Sequence, residues 1–362
     1  MRRRVFIKNV ALGIGVVSFF DNTLFAKENS RKFKVIYDFE LKNEEKSFPA
    51  QLWNPLPLDI NYQKVKFLKF NGNYDNSNIN TNNPYDAKIL YAKWNKSNTK
   101  KTLHLEMEIE TTYRSVSLKV IQKASEANLP LPKDVSQFLE TTAHIPTTGR
   151  VKEIADRLIK SETDAFSKVQ ALYDWVTETT FRDPKVKGCG LGDVNQMLKN
   201  GYFGGKCTDI SSLFVALLRA ANIPAREVFG IRLGSSDFSK ALGTSDENGF
   251  ANISSWQHCK VEYFIAGAGW IPSDPADITK LEFVEDLKYS DKRVQELKAK
   301  FLHSWEMNWM GFNWGRDFVL YPQPEQFPIN MLGYPYGESD GNVLNYYSPK
   351  DFSYKITSKE IK

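Results

Sequence analysis

Apolar and polar residues alternate along two early stretches of the chain. Phe33-Lys34-Val35-Ile36-Tyr37-Asp38-Phe39-Glu40-Leu41 does so with few exceptions, and Leu103-His104-Leu105-Glu106-Met107-Glu108-Ile109 does so strictly. A period of two marks half-buried strands, so residues 33 to about 125 are expected to be strands. The Asn-, Ser-, Gly- and Thr-rich run from Asn71 to Pro84 reads as a surface loop between them. Residues 27–127 are therefore expected to form a β-sandwich-like N-terminal domain. Asn128-Leu129-Pro130-Leu131-Pro132 and Ile145-Pro146-Thr147-Thr148-Gly149 break regular structure and mark 128–150 as a linker.

The period then changes. Phe166, Val169, Leu172, Tyr173 and Val176 recur at spacings of three and four, one face of a helix. A longer stripe, Ile210, Leu213, Phe214, Leu217, Leu218 and Ala221, predicts a helix starting at or near Cys207, and Asn222-Ile223-Pro224 stops it. Strands resume over Arg226–Ile231 and Ser255–Ile265. Ala266-Gly267-Ala268-Gly269 is a turn, and Trp270-Ile271-Pro272 starts the returning strand. This mixed unit spans 151–280. Residues 281–362 hold a charged helical stretch and then a tail rich in Trp, Tyr, Pro and Gly. No internal repeat is present.

Charge and cysteine content narrow the function. Residues 1–26 hold four basic residues against Asp21, a net of +3, which leaves +2 of the chain's +5 for the remainder. So balanced a body gives no electrostatic case for nucleic acid. The basic run Arg2-Arg3-Arg4 precedes an apolar stretch, Val10 to Phe20, too short to span a bilayer. It fits an export signal, and Arg3-Arg4-Val5-Phe6-Ile7-Lys8 resembles the twin-arginine motif. A periplasmic or extracytoplasmic location follows as an expectation, with the twin-arginine machinery as a transient partner and no stable membrane span. Only three cysteines are present, Cys189, Cys207 and Cys259. An odd count in an exported chain leaves at least one free thiol to examine as a nucleophile.

Gly204-Gly205-Lys206-Cys207 places a thiol at a glycine-rich approach to a buried helix. Backbone N–H groups at a helix N-terminus stabilise a thiolate and can hold an oxyanion. Of four histidines, His104 lies in the β region, His144 in the linker and His303 in the tail. His258 alone sits on a strand whose hairpin partner leads to Asp274. A Cys-His-Asp triad is the chemistry these positions suggest. Taken singly, each has a plain structural alternative: a buried thiol, a satisfied strand histidine, a turn aspartate.

Gly205-Lys206-Cys207-Thr208-Asp209, running into Leu213-Phe214-Val215-Ala216-Leu217-Leu218-Arg219 and Ile223-Pro224-Ala225-Arg226, resembles the cysteine motif of the transglutaminase-like superfamily. Trp256-Gln257-His258-Cys259-Lys260-Val261-Glu262 and Gly269-Trp270-Ile271-Pro272-Ser273-Asp274-Pro275 resemble its histidine and aspartate motifs. The resemblance implies an α+β fold: a papain-like, transglutaminase-like catalytic core preceded by the β-sandwich-like domain. It implies Cys207 as nucleophile, His258 as base and Asp274 as orienter, hydrolysing an amide or peptide bond through a thioester without a cofactor. Peptides or proteins are the expected substrates, cell-wall peptides among them. An amine-accepting transglutaminase and a non-catalytic binding module are the alternatives.

The chain departs from the family pattern where Cys259 follows the histidine and where Phe181-Arg182-Asp183 replaces an oxyanion-supporting aromatic. Arg182 and Tyr202 are the candidates for the second oxyanion donor. No calcium loop is visible. Zinc on Cys189, Cys207, His258 and Cys259 is disfavoured, because consecutive strand residues face opposite ways. By that alternation Cys259 should turn away from Cys207; Cys189 and Cys259 are then expected either to lie close enough to pair as a disulfide or to stand as two separate buried cysteines.

Overall fold

Strand alternation in the first segment translates directly into burial. A computed structural model describes residues 30–42, 48–95, 100–325 and 329–361. In it Phe33, Val35, Tyr37, Phe39 and Leu41 are buried along the strand Ser30–Lys42. This strand pairs antiparallel with Lys100–Thr112 over its whole length and with Tyr354–Ile361 on its other edge. Among the described residues it belongs to a five-stranded sheet that also takes in Gln63–Gly72 and Phe250–Asn252. A second five-stranded sheet contains Ala50–Pro55, Asn76–Asn80, Ile89–Trp94, Tyr336–Ser339 and Asn342–Val343. Leu52, Leu90 and Trp94 of the second sheet share a core with Phe33, Leu105 and Ile356 of the first.

The C-terminal segment is thus woven into both sheets. Tyr354–Ile361 fills an inner position in one, and Tyr336–Ser339 pairs with Ala50–Pro55 in the other. The N-terminal β region ends earlier than its sequence suggests, because Leu118–Ala127 is a helix, α1. Ser117 caps it, Asn128 terminates it in the left-handed conformation, and it buries Ile121 and Ala124. So short a helix shows only two inward apolar turns, too few for the period to declare itself. Within 128–150, Lys133–Leu139 forms a 3-10 helix that buries Val135 and Phe138.

The core that follows is helix on sheet. α2 (Arg150–Leu158), α3 (Ala165–Thr179), α4 (Val194–Asn200) and α5 (Cys207–Ala220) precede an antiparallel sheet of four strands among the described residues. Its order is Gly269–Ser273, Gln257–Ile265, Ala225–Arg232, Trp309–Asn313. α5 is buried on every side except at Asp209, which is half-buried. A helix enclosed all round is a core element rather than an amphipathic surface helix. Phe214, packed edge-on against Tyr173 of α3, is fully buried. Truncating it to alanine is expected to cost about 3–5 kcal/mol. α6 (Pro275–Glu285) and α7 (Lys292–Phe301) pack together through Ile278, Leu281, Val294, Leu297 and Phe301.

Candidate active site

Cys207 is the first residue of α5, so its backbone N–H has no acceptor within the helix. Two contacts fix this helix end to the glycine loop at 188–192. The Thr208 N–H donates to the Cys189 carbonyl at 2.9 Å. The Asp209 carboxylate accepts from Gly192 N at 2.8 Å and Lys206 N at 2.9 Å. Burial pushes the Asp209 carboxyl up despite these donors. The loop comes so close that a Cβ on Gly190 would lie 1.9 Å from an Asp209 oxygen, and Gly190 has φ +88°. Only glycine fits there.

His258 stands on the strand Gln257–Ile265, which forms a hairpin with Gly269–Ser273. The last paired residues are Val261 and Ser273, so Asp274 emerges beside Lys260 and reaches back to His258. His258 Nε2 is 2.9 Å from Asp274 Oδ2, and Lys260 Nζ donates to the same oxygen at 2.6 Å. Asp274 also caps α6, its Oδ1 accepting from Asp277 N at 3.1 Å. The Trp309 indole donates to the His258 carbonyl at 2.9 Å. Opposite His258, Gly230 leaves room for that indole: a Cβ there would lie 2.5 Å from the Trp309 ring. Cys207, His258 and Asp274 are all buried.

Three supporting groups were not anticipated from sequence. Asp277 lies 3.4 Å from His258 Nε2 and 3.9 Å from Lys260 Nζ, and is hydrogen-bonded to Arg232. Burial alone would raise its carboxyl, but the charges of Arg232, His258 and Lys260 hold it far below the usual range. Asp274-Pro275-Ala276-Asp277 carries the signal that could have found it: an N-cap acid, proline at the first helical position and an acid three residues on. His258 Nε2 and the two carboxylates lie within 4.8 Å of one another, as metal ligands would. Lys260 and Arg232 already supply the cations that those carboxylates hold.

The cysteines are arranged differently from expectation. All three thiols are free. Alternation does separate His258 from Cys259, but it is Cys259 that faces α5, together with Val261 and Tyr263. The Cys259 thiol therefore comes up beneath Cys207, while the Cys189 sulfur lies 3.1 Å from the Gln257 carbonyl oxygen and receives the Tyr334 hydroxyl at 3.0 Å. Hydrogen bonds from Cys189 and Cys259 hold the Cys207 thiol well below its usual range. Burial opposes this, and the hydrogen bond and charge of His258 add to it. Cys189 is pushed well up by its hydrogen bond to Cys207 and by burial, and Cys259 by burial first.

Cys207 and His258 open on a cavity of about 400 Å³ that Arg182 also lines. Tyr202 is not among the lining residues. Its ring packs on Phe181 and its hydroxyl donates to Asp183 at 2.9 Å, half exposed. His104 pairs with Asp38 in the first sheet, and His144 is bonded to Asp317, both in other parts of the fold.

This geometry coincides with the part of the chain that matches a known family. Residues 152–275 match the model of the transglutaminase-like superfamily. An uncharacterized protein of Haemophilus influenzae is 46% identical over 323 residues, covering 86% of each chain. The chain belongs to the transglutaminase-like superfamily. The uncharacterized protein YebA of Bacillus subtilis is 29% identical over 133 residues, which is 35% of this chain and 17% of YebA. A solved structure from Cytophaga hutchinsonii, described as a candidate cysteine protease, superposes with a TM-score of 0.51 at 19% identity. That match covers 68% of this chain and 77% of that one. At this identity the likeness concerns the fold: a transglutaminase-like core with a strand-rich region before it.

Proposed function

We propose that the protein is a thiol acyl-transfer enzyme that hydrolyses amide or peptide bonds, with Cys207 as nucleophile, His258 as base and acid, and Asp274 as orienter. The observation that carries this is the convergence at Cys207 of a depressed thiol, a helix N-terminus and an imidazole whose far nitrogen is held by Asp274. With Nε2 turned to Asp274, Nδ1 is left for Cys207. The thiolate adds to the substrate carbonyl and forms a C–S bond, while the developing oxyanion faces the Cys207 N–H. His258 then protonates the leaving nitrogen as the C–N bond breaks, which leaves a thioester. Water attacks next, His258 takes its proton, and a carboxylic acid leaves as the thiolate reforms. Arg182, on the cavity wall, is the proposed second donor to the oxyanion.

The site of action is inferred to be outside the cytoplasm, on the basis of residues 1–26. These lie outside the described residues. No helix among the described residues is long and apolar enough to cross a membrane. The decisive experiment is labelling with an electrophilic probe, followed by mass-spectrometric mapping. Cys207 should react rapidly at pH 6, where ordinary thiols are protonated, and a folded Cys207→Ala variant should have no hydrolytic activity. Most activity surviving in that variant would overturn the assignment.

A further inference from the structure

The cavity beside Cys207 is unusual in its charge. Arg182, Lys206, Arg232, Lys240 and Lys280 line it, and among the described residues no aspartate or glutamate does. Arg232 is bound to Asp277. The other four come from four separate elements: the short strand Phe181–Arg182, the residue capping α5, the 3-10 turn Lys240–Leu242 and helix α6. Among the described residues none of these four has a carboxylate within ion-pair distance. Some cations elsewhere are paired: Lys34 and Lys69 share Glu106, Lys66 meets Glu110, and Lys298 meets Asp174. A solvated basic helix face would draw its charges from one element. Here the fold collects them from four around one hole.

The cost of that collection is visible at Lys280. Burial, followed by the positive charge of Arg232, brings its ammonium down to about 8. The charge of Asp277 acts against this shift, but among the described residues no carboxylate lies within ion-pair distance of this half-buried ammonium. The body of the chain is close to neutral, so the concentration is local.

We propose that the cavity binds an acidic peptide, with a carboxylate near the bond that Cys207 attacks held by Lys280, Lys240, Lys206 and Arg182. The inference rests on the thiol-enzyme reading above for the position of the scissile bond. A sphere of the cavity's volume is roughly 9 Å across, close to the screening length of about 8 Å in physiological salt. All four cations therefore act on one anion inside it. That carboxylate can be an aspartate or glutamate side chain or the α-carboxylate of a chain end. Both present the same chemistry to the lysines.

Two matched reagents test the charge of the site without any turnover. Iodoacetate and iodoacetamide differ only in carboxylate against amide, and small free thiols react faster with the amide. In the native protein Cys207 should react faster with iodoacetate, and high salt should erase the preference. In the double variant Lys240→Gln, Lys280→Gln the ratio of the two rates should fall by roughly tenfold or more, given how strongly an ammonium and a carboxylate attract at close range. A faster reaction with iodoacetamide, indifferent to salt and to the double variant, would overturn the proposal. Binding to Cys207→Ser then separates the two sources, using fluorescent peptides that carry Glu or Gln and end in a free acid or an amide. A preference for Glu over Gln identifies a side chain, and a preference for acid over amide identifies a chain end. Equal binding of all four peptides would also overturn it. Absence of hydrolysis with the iodoacetate preference intact would instead sink the enzyme reading and leave the anion site standing.

Discussion

Replacing Asp274 by asparagine changes one atom and removes one charge from a buried cluster. Asp274 and Asp277 balance Lys260 and Arg232, so the cluster is neutral and stays so when a proton moves from Cys207 to His258. In Asp274→Asn it carries an extra positive charge next to the imidazole. At about 4 Å and an effective dielectric near 20, one charge is worth roughly 4 kcal/mol, about three decades of rate. Geometry points the same way. Oδ2 accepts from both His258 and Lys260 while Oδ1 accepts from Asp277 N. An amide must turn its NH2 toward one of these sets of donors, and facing His258 it favours the wrong tautomer. The same exchange in Ser-His-Asp sites costs about 10⁴ in kcat. Asp277, 3.4 Å from His258 Nε2, should recover part of this. The expected loss is therefore roughly 10³-fold in thioester formation, read as nitrophenolate release from a p-nitrophenyl ester. Leaving Lys260 short of its carboxylate should also cost about 3 kcal/mol of stability in urea melts, whereas the α6 cap should barely suffer, since asparagine caps as well as aspartate. A variant with wild-type ester kinetics would show that Asp277 alone orients His258.

Cys189→Ala should raise the pH midpoint for iodoacetamide alkylation of Cys207 by about one unit, the worth of one weak donor to a thiolate, whereas Cys189→Ser should not; equal midpoints in the two would remove Cys189 from that role. The depressed Cys207 thiol adds stability above the unfolded thiol's value of about 8.5, and that increment is lost as pH falls through the folded value. Urea melts of wild type and Cys207→Ala should therefore differ in their pH dependence as pH falls below about 8.5, and parallel curves would contradict a depressed thiol. Asp209→Ala leaves the Gly192 and Lys206 N–H groups without their acceptor, so it should cost about 3 kcal/mol in urea and slow Cys207 alkylation; a loss under about 1 kcal/mol would mean that the loop holds itself. Changing Arg3 and Arg4 together to lysine should strand the precursor in the cytoplasm, as seen by fractionation, and normal export would point to the general secretory route.

Local periodicity made the strands at 33–41 and 103–109 and the helix from Cys207 legible, because each has one strongly apolar face over many residues. The same rule missed α1, whose inward face is two residues long. It also missed the start of α6, where Asp274 followed by proline marks a helix cap as well as the expected triad aspartate. Strand alternation correctly placed His258 and Cys259 on opposite faces. It could not say which face the cysteine helix would cover, and that is a matter of tertiary packing. The helix took the Cys259 side, so the expectation that Cys259 turns away from Cys207 failed although its premise held.

What the sequence hid most completely is the part played by its last third. Period-two runs of two to five residues, such as Ser304–Trp305 and Tyr336–Ser339, carry too little pattern to separate from a tail. Yet Trp305 bonds the Ser273 carbonyl just before Asp274, Trp309 bonds the His258 carbonyl, and Tyr334 bonds the Cys189 thiol. Each touches the site through a backbone carbonyl or a neighbouring side chain rather than through the Cys207 thiol, the His258 ring or the Asp274 carboxylate. The aromatic content of this segment is therefore a scaffold for the strand, the cap and the loop that set the geometry of Cys207, His258 and Asp274. The strand Tyr354–Ile361 then anchors that scaffold in the N-terminal sheet. It follows that the core at 152–275, where the family motifs lie, is incomplete as a folding unit. Cut off after α7, it would lose the Trp309–Asn313 strand of its own sheet and expose the Ala225–Arg232 strand as a bare edge.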